Sequence, residues 1–173
     1  MSDVNQLNFT ELFLNLSSEL NNEGDRTVAV LLAAHLDYLL ESLVATNLAV
    51  DADEVRDLLL KGGNAPLTTF SSRINAAYCF GLLSKDEWRD LHQIRDVRNK
   101  FAHQLVGISL SSTSIADKCR SLKLSQVNES VKDPRACLIK AGVRLMVTIS
   151  IRISNKNHVL NPDSDYGIEE THV

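Results

Sequence analysis

Arg98, Asn99 and His103 bring a guanidinium, an amide and an imidazole close together on one predicted helix. When residues 85–105 are projected at 100° per residue, Arg98 falls inside the apolar stripe, and Asn99 and His103 lie along one flank. A guanidinium binds phosphate through several hydrogen bonds, and an imidazole changes its protonation state near neutral pH. If Arg98 and His103 face a cleft or a second copy of the chain, the pattern predicts chemistry on a phosphate group.

Arg98 also has a structural interpretation, because an arginine inside an apolar stripe needs a partner. The acidic first part of the chain offers Asp37 or Glu41, and an ion pair with either would hold two helices in register. The residues alone leave both interpretations open.

These side chains need a scaffold, and apolar residues recur at helical spacing along most of the chain. The predicted helices cover residues 8–21, 25–47, 51–61, 69–83, 85–105, 113–124 and 135–153. Residues 147–153 also alternate as a strand would, but a lone strand would leave its backbone groups unpaired, so a helix is preferred. The sequence predicts an all-α fold, a single helical bundle of about six to seven helices. One domain is expected over residues 1–157 and a polar C-terminal tail over residues 158–173.

Composition places the chain in the soluble globular class. Its 173 residues suit one domain, with 44% hydrophobic, 23% charged and only 5% aromatic side chains. Residues 1–60 carry eleven acidic and two basic side chains, whereas residues 61–160 carry sixteen basic and seven acidic ones. Such segregation indicates either a basic patch for nucleic acid or two halves that pack together and neutralise each other. The internal interpretation is favoured, since helices of opposite charge are natural neighbours in a bundle.

Several other kinds of chemistry are not predicted. The three cysteines are widely spaced and form no C-x-x-C pair, and Gly62-Gly63 lacks the lysine and the spacing of a phosphate-binding loop. We therefore expect no metal site and no cofactor. The longest apolar run, residues 28–36, is broken by His35 and is too short to cross a bilayer. The expectation is a cytoplasmic protein without a membrane partner.

The hexapeptide at residues 98–103, Arg-Asn-Lys-Phe-Ala-His, resembles the R-x4-H motif, often beginning Arg-Asn, of the all-helical HEPN domains. In catalytic HEPN ribonucleases, the arginine and histidine of two protomers meet at a dimer interface and cleave RNA without a metal. The resemblance implies that Arg98 would stabilise the phosphorane charge and that Asn99 would orient the phosphate. His103 would be the general acid or base for attack by the 2′-hydroxyl.

A longer segment, about residues 55–125, carries a second resemblance. Its residues are Pro66-Leu67, Phe70-Ser71-Ser72-Arg73-Ile74, Ala77-Tyr78, Gly81-Leu82-Leu83, Asp90-Leu91 and Ile94-Arg95. This pattern resembles the mannitol operon repressor (MltR-like) family, and the RN-x-F-A-H hexapeptide also occurs in the branch that this chain resembles. The resemblance implies an all-α fold and a role in transcriptional control.

Direct DNA binding is nevertheless disfavoured by the residues themselves. The fourth and fifth predicted helices meet at a tight turn, as in a helix-turn-helix, but the second of them opens with Asp86, Glu87 and Asp90. Carboxylates at the end that would approach the DNA repel phosphate. Regulation through another protein is therefore the preferred expectation.

Trp88, His92 and Arg95 are the predicted partner-binding residues, with Trp88 as an exposed anchor. Trp88 has an alternative role, in which it packs against Tyr78 over the turn. Arg73 is expected to bond a carboxylate or the nearby loop.

The sequence thus predicts a non-enzymatic cytoplasmic regulator that acts mainly through protein–protein contacts in transcriptional control. The first alternative is a HEPN-like, metal-independent ribonuclease of toxin type, or its inactive relative, with RNA as substrate and a homodimer as the working form. The second is an acidic immunity-type protein that masks a basic nuclease toxin, since the acidic first sixty residues suit such a partner.

Overall fold

The computed structural model describes residues 18–48, 53–104, 106–125 and 133–155. These residues form six α-helices and one short 3-10 helix, with no strand among them, and residues 18–22 are also helical. The helices are α1 (Asp25–Thr46), α2 (Asp53–Leu60), α3 (Phe70–Cys79), α4 (Lys85–His103), α5 (Thr113–Arg120) and α6 (Pro134–Asn155), and the 3-10 helix is Lys123–Ser125. The predicted all-α bundle is confirmed.

The ambiguous last segment is helical, as predicted, because α6 covers it without interruption. Two other expectations fall mainly outside the described residues. The predicted helix 8–21 overlaps them only from residue 18 onward, and the predicted tail 158–173 lies wholly beyond them.

Helix α1 is the centre of the bundle and packs against α6, α4 and α3. Its buried side chains are Val28, Ala29, Leu32, Ala33, Leu36, Leu40, Leu43 and Val44. By length and composition α1 is apolar enough to cross a membrane, with a mean hydropathy of 1.7 over its most apolar stretch, of which 44% is buried in the bundle. A central core helix has the same composition, and the absence of a membrane partner stays a prediction.

Helices α1 and α6 run parallel and in register. Near their N-terminal ends, Arg135 donates from Nη1 to Asp25 Oδ1 at 2.6 Å. Farther along, Gly142 of α6 faces Leu32 of α1, and a Cβ at position 142 would lie 2.7 Å from Leu32 Cδ2. The residues of each contact are 110 positions apart in sequence, so the two helices lie side by side in the same direction. Glycine at position 142 lets them approach closely at this point.

Helix α4 runs antiparallel to α1 and begins where the sequence predicts. The Ser84 hydroxyl accepts from the Glu87 backbone N–H at 3.3 Å, and the Ser84 backbone N–H donates to Glu87 Oε2 at 2.8 Å. This reciprocal pair satisfies two N–H groups that the first helical turn would otherwise leave unbonded. The apolar face of α4 consists of Leu91, Ile94, Val97 and Phe101, all buried.

Ion pairs inside the bundle neutralise part of the charge that is segregated along the sequence. Asp25 pairs with Arg135, and Asp37 and Glu41 both pair with Arg73 at 2.8 and 2.6 Å. For these three acids the predicted internal neutralisation is confirmed.

Candidate functional site: a cleft lined by two arginines

A cleft of about 500 Å³ opens between α1, the first turn of α3 and the C-terminal half of α4. Its polar side chains come from Asp37, Thr69, Ser71, Arg95, Arg98 and Asn99, and its apolar ones from Val30, Ala33, Ala34 and Phe70. This volume suits a small organic molecule.

The cleft arises because α3 and α4 run antiparallel and α3 is the shorter helix. Thr69 caps α3, and its hydroxyl accepts from the Ser72 backbone N–H at 3.1 Å, which fixes where the helix begins. Ser71 then lies against Arg95, while α4 continues for two further turns to His103. That extension projects past the start of α3 and forms one wall of the cleft together with α1.

Arg98 lies at the exposed edge of the cleft, and the expected position inside the apolar stripe is wrong. The core-facing position is taken by the neighbouring Val97, which is buried. Arg98 Nη1 donates to Asn99 Oδ1 at 3.0 Å. Within the described ranges Arg98 forms no ion pair, so its positive charge is available to an anion.

The structural role proposed for Arg98 belongs to Arg73. Its Nη1 and Nη2 reach Asp37 and Glu41, and its Nε donates to the Leu67 carbonyl at 2.9 Å. The sequence analysis expected either Asp37 or Glu41 to pair with Arg98, and in the structure both pair with Arg73. The separate expectation that Arg73 bonds a carboxylate or the nearby loop is confirmed, since Arg73 bonds both.

Arg95 forms the inner part of the cleft. Its Nη1 donates to Ser71 Oγ at 2.5 Å, and its Nη2 donates to Asp96 Oδ1 at 3.0 Å. Its Nε is buried, and no acceptor among the described residues reaches it. Burial raises the pKa of Asp96, but hydrogen bonds from Lys118 and Arg95 outweigh that effect, and the pKa lies below its ordinary value.

His103 is the last residue of α4 and is exposed. It lies one helical turn after Asn99, on the same flank of the helix, but it does not line the cleft. The structure therefore brings Arg95, Arg98 and Asn99 together at one cavity and leaves His103 beside it.

Trp88 and His92 form a half-buried cluster farther along α4. Trp88 Nε1 and His92 Nε2 both donate to Asn75 Oδ1 of α3, at 2.9 and 3.0 Å. The Tyr78 and Trp88 rings lie 5.4 Å apart, which confirms the predicted packing of these rings over the turn. Burial and the nearby Arg95 charge lower the pKa of His92. A role of Trp88, His92 and Arg95 in partner binding stays a prediction, and all three side chains already make contacts within the chain.

Ser71 and Thr69 are the cleft residues that the sequence analysis did not identify as part of a site. A signal was present for where the helix begins, because Thr69 and Ser72 have the spacing of a helix cap. Their proximity to Arg95 depends on the antiparallel pairing of α3 and α4, which spacing alone does not specify.

The cleft can bind an anion more readily than it can transfer a proton. Its two guanidinium groups are hydrogen-bond donors with no acceptor atom, and its one carboxylate, Asp37, already pairs with Arg73. Across the residues that the structure describes, no group of three or more histidine, cysteine, aspartate or glutamate side chains could hold a metal ion.

Comparisons with known proteins add no further assignment: no family model, no curated protein and no solved structure matches this chain.

Proposed function

We propose that this protein is a non-enzymatic regulator that acts through contacts with another protein, in the transcriptional role that its resemblance to mannitol operon repressors implies. The observation that carries the proposal is an exposed surface on α1 formed by Leu31, His35 and Tyr38, called here the α1 surface. These residues are spaced by four and three positions, so they lie on one side of the helix, and 69% of Tyr38 is exposed.

The α1 surface has the character of a protein contact. Aromatic side chains contribute much of the binding energy at interfaces, and Tyr38 can bury its ring while its hydroxyl keeps a hydrogen bond. Leu31 and Tyr38 keep apolar area in water, and a partner that covers them would remove that area from solvent. The acidic groups Asp25, Asp37 and Glu41 contribute less, because each is paired within the chain. That pairing favours an apolar partner contact over the masking of a basic toxin.

The test uses the full chain as bait. The protein is immobilised, captured partners are identified by mass spectrometry, and the affinity of each purified partner is measured by calorimetry. We expect Tyr38→Ala with Leu31→Ala to weaken binding at least tenfold, because two apolar contacts are removed. Leu58→Ala on α2 is the matched control, since Leu58 is also exposed, at 73%. Equal affinity in all three proteins would overturn the proposed surface.

A ribonuclease is the second candidate, and a specific observation favours it. Arg98 is exposed and bonded to Asn99, and His103 is exposed one turn beyond, so the three motif residues are accessible from solvent. The carboxylate that lines the same cleft, Asp37, is already paired with Arg73. This candidate therefore relies on the dimer that the HEPN resemblance implies.

RNA cleavage by the purified protein tests the second candidate. Wild type, Arg98→Ala and His103→Ala are compared with His35→Ala, which changes an exposed histidine of α1. Cleavage that is lost in the two motif variants and retained in His35→Ala would establish a nuclease. Absence of cleavage by a folded wild-type dimer would remove this candidate.

A further inference from the structure

We infer that the cleft between α1, α3 and α4 binds a small phosphate monoester that carries an apolar or aromatic group. The cleft holds two arginines that approach from one helix, one amide, two hydroxyls and the Asp37 carboxylate, which is paired with Arg73. Its volume is larger than a phosphate needs.

The polar donors define the anion. Arg98 has no carboxylate partner among the described residues, and only its contact with Asn99 occupies its guanidinium there. Arg95 also lines the cleft, and its Nη1 and Nη2 each keep a second hydrogen beyond their bonds to Ser71 and Asp96. A phosphate monoester offers three terminal oxygens and can bond both guanidinium groups and the Asn99 amide together. A carboxylate can also accept several hydrogen bonds, but its two oxygens lie in one plane and share a single charge, so it matches two guanidinium groups and an amide less well than a phosphate does.

The apolar side of the cleft defines the rest of the ligand. Val30 and Ala34 of α1 and Phe70 of α3 line it without a polar group of their own. Beyond the phosphate, the volume of about 500 Å³ leaves room for an organic body packed against these three side chains. Inorganic phosphate would fill only the polar end.

Calorimetry with phenyl phosphate tests this inference, with inorganic phosphate and benzoate as separate probes. We expect the wild-type chain to bind phenyl phosphate more tightly than either of the other two. Arg98→Ala should weaken binding about tenfold through loss of a charge-assisted hydrogen bond. Arg95→Lys keeps the charge but removes the planar set of guanidinium donors, and it should weaken binding by a similar factor.

Two further variants test whether phenyl phosphate binds in the cleft or is only attracted by positive charge elsewhere on the surface. Ala34→Phe leaves both arginines in place and fills the apolar side, so it should weaken binding of phenyl phosphate. Arg144→Ala removes an exposed arginine on α6 that does not line the cleft, and it should bind as wild type does. Circular dichroism verifies that each variant is folded.

The inference is overturned if wild type does not bind phenyl phosphate, if benzoate binds equally well, or if Arg144→Ala weakens binding as much as Arg98→Ala. The result is independent of the proposed partner contact, because Tyr38→Ala changes the α1 surface and should leave phenyl phosphate binding intact.

Discussion

Arg152, near the C-terminal end of α6, donates from Nη1 to Glu87 Oε2, in the first turn of α4, at 2.8 Å. Only 13% and 8% of the two side chains are exposed. The same Glu87 oxygen accepts from the Ser84 backbone N–H, so the ion pair and the helix cap share one atom. The pair joins the end of the last helix to the beginning of the fourth.

Removal of one partner from this pair should therefore be costly. Arg152→Met leaves a buried carboxylate without a counter-charge and should lower the free energy of unfolding by about 3 kcal/mol. Glu87→Gln in the same chain removes that charge and keeps an oxygen for the cap, so the double variant should regain part of the loss. Urea unfolding followed by circular dichroism measures both effects, and strictly additive losses would contradict the coupling.

Substitution of Arg73 should cost much more stability than substitution of Arg98. Arg73→Ala leaves Asp37, Glu41 and the Leu67 carbonyl without their donor and should lower the free energy of unfolding by about 2 kcal/mol. Arg73→Lys should lose less, because an ammonium keeps the charge but cannot span both carboxylates in the same way. Arg98→Ala should change stability by no more than about 0.5 kcal/mol, as is usual for an exposed side chain. A larger loss for Arg98→Ala than for Arg73→Ala in the same denaturation assay would contradict the assignment.

The contrast between these two arginines shows what spacing can and cannot predict. Helical periodicity and capping residues located the helices, because those signals are local in the chain. The apolar stripe of α4 was placed from Leu91, Ile94, Phe101 and Leu105. In the structure, Val97 and Asp90 are buried as well, and they shift the core-facing side of α4 away from Arg98. The side of α4 that its neighbours cover depends on tertiary packing. A projection of this one helix therefore could not predict the cleft.

The burial of Asp90 predicts that the free energy of unfolding depends on pH. The side chain is 0% exposed, and its two oxygens accept from the backbone N–H groups of Lys123 and Leu124 at 2.9 and 2.8 Å. Burial raises its pKa above 3.8 despite these two bonds, so the folded state holds the proton more tightly than the unfolded state does. The contribution of Asp90 to stability should therefore fall as pH rises from 3.8 through the raised pKa.

Asp90→Asn isolates this contribution, because asparagine does not titrate. The free energy of unfolding of wild type, measured relative to that of the variant, should increase as the pH is lowered from neutral toward 3.8. A difference that stays constant, or that decreases on acidification, would contradict the raised pKa.

The three cysteines should differ sharply in reactivity. Cys79 is exposed, whereas Cys119 and Cys137 are buried, and burial together with the nearby Cys137 raises the pKa of the Cys119 thiol to about 12. A thiol must ionise and be accessible to react. A maleimide should label the native protein once per chain, at Cys79, and the urea-unfolded protein at all three cysteines. Native Cys79→Ser should remain unlabelled, and mass spectrometry of the intact chain gives the count.

The parallel pairing of α1 and α6 also has a consequence during synthesis. Asp25 and Arg135, which join the beginnings of these helices, are 110 residues apart in sequence. At about 5 to 20 residues per second, the ribosome needs roughly 6 to 22 s to make the intervening chain. Throughout that interval the side of α1 that faces Gly142 has no partner helix, and a nascent chain with an uncovered apolar face is prone to aggregate. The position of α6 after the other five helices therefore sets how long the growing chain leaves this apolar side of α1 uncovered.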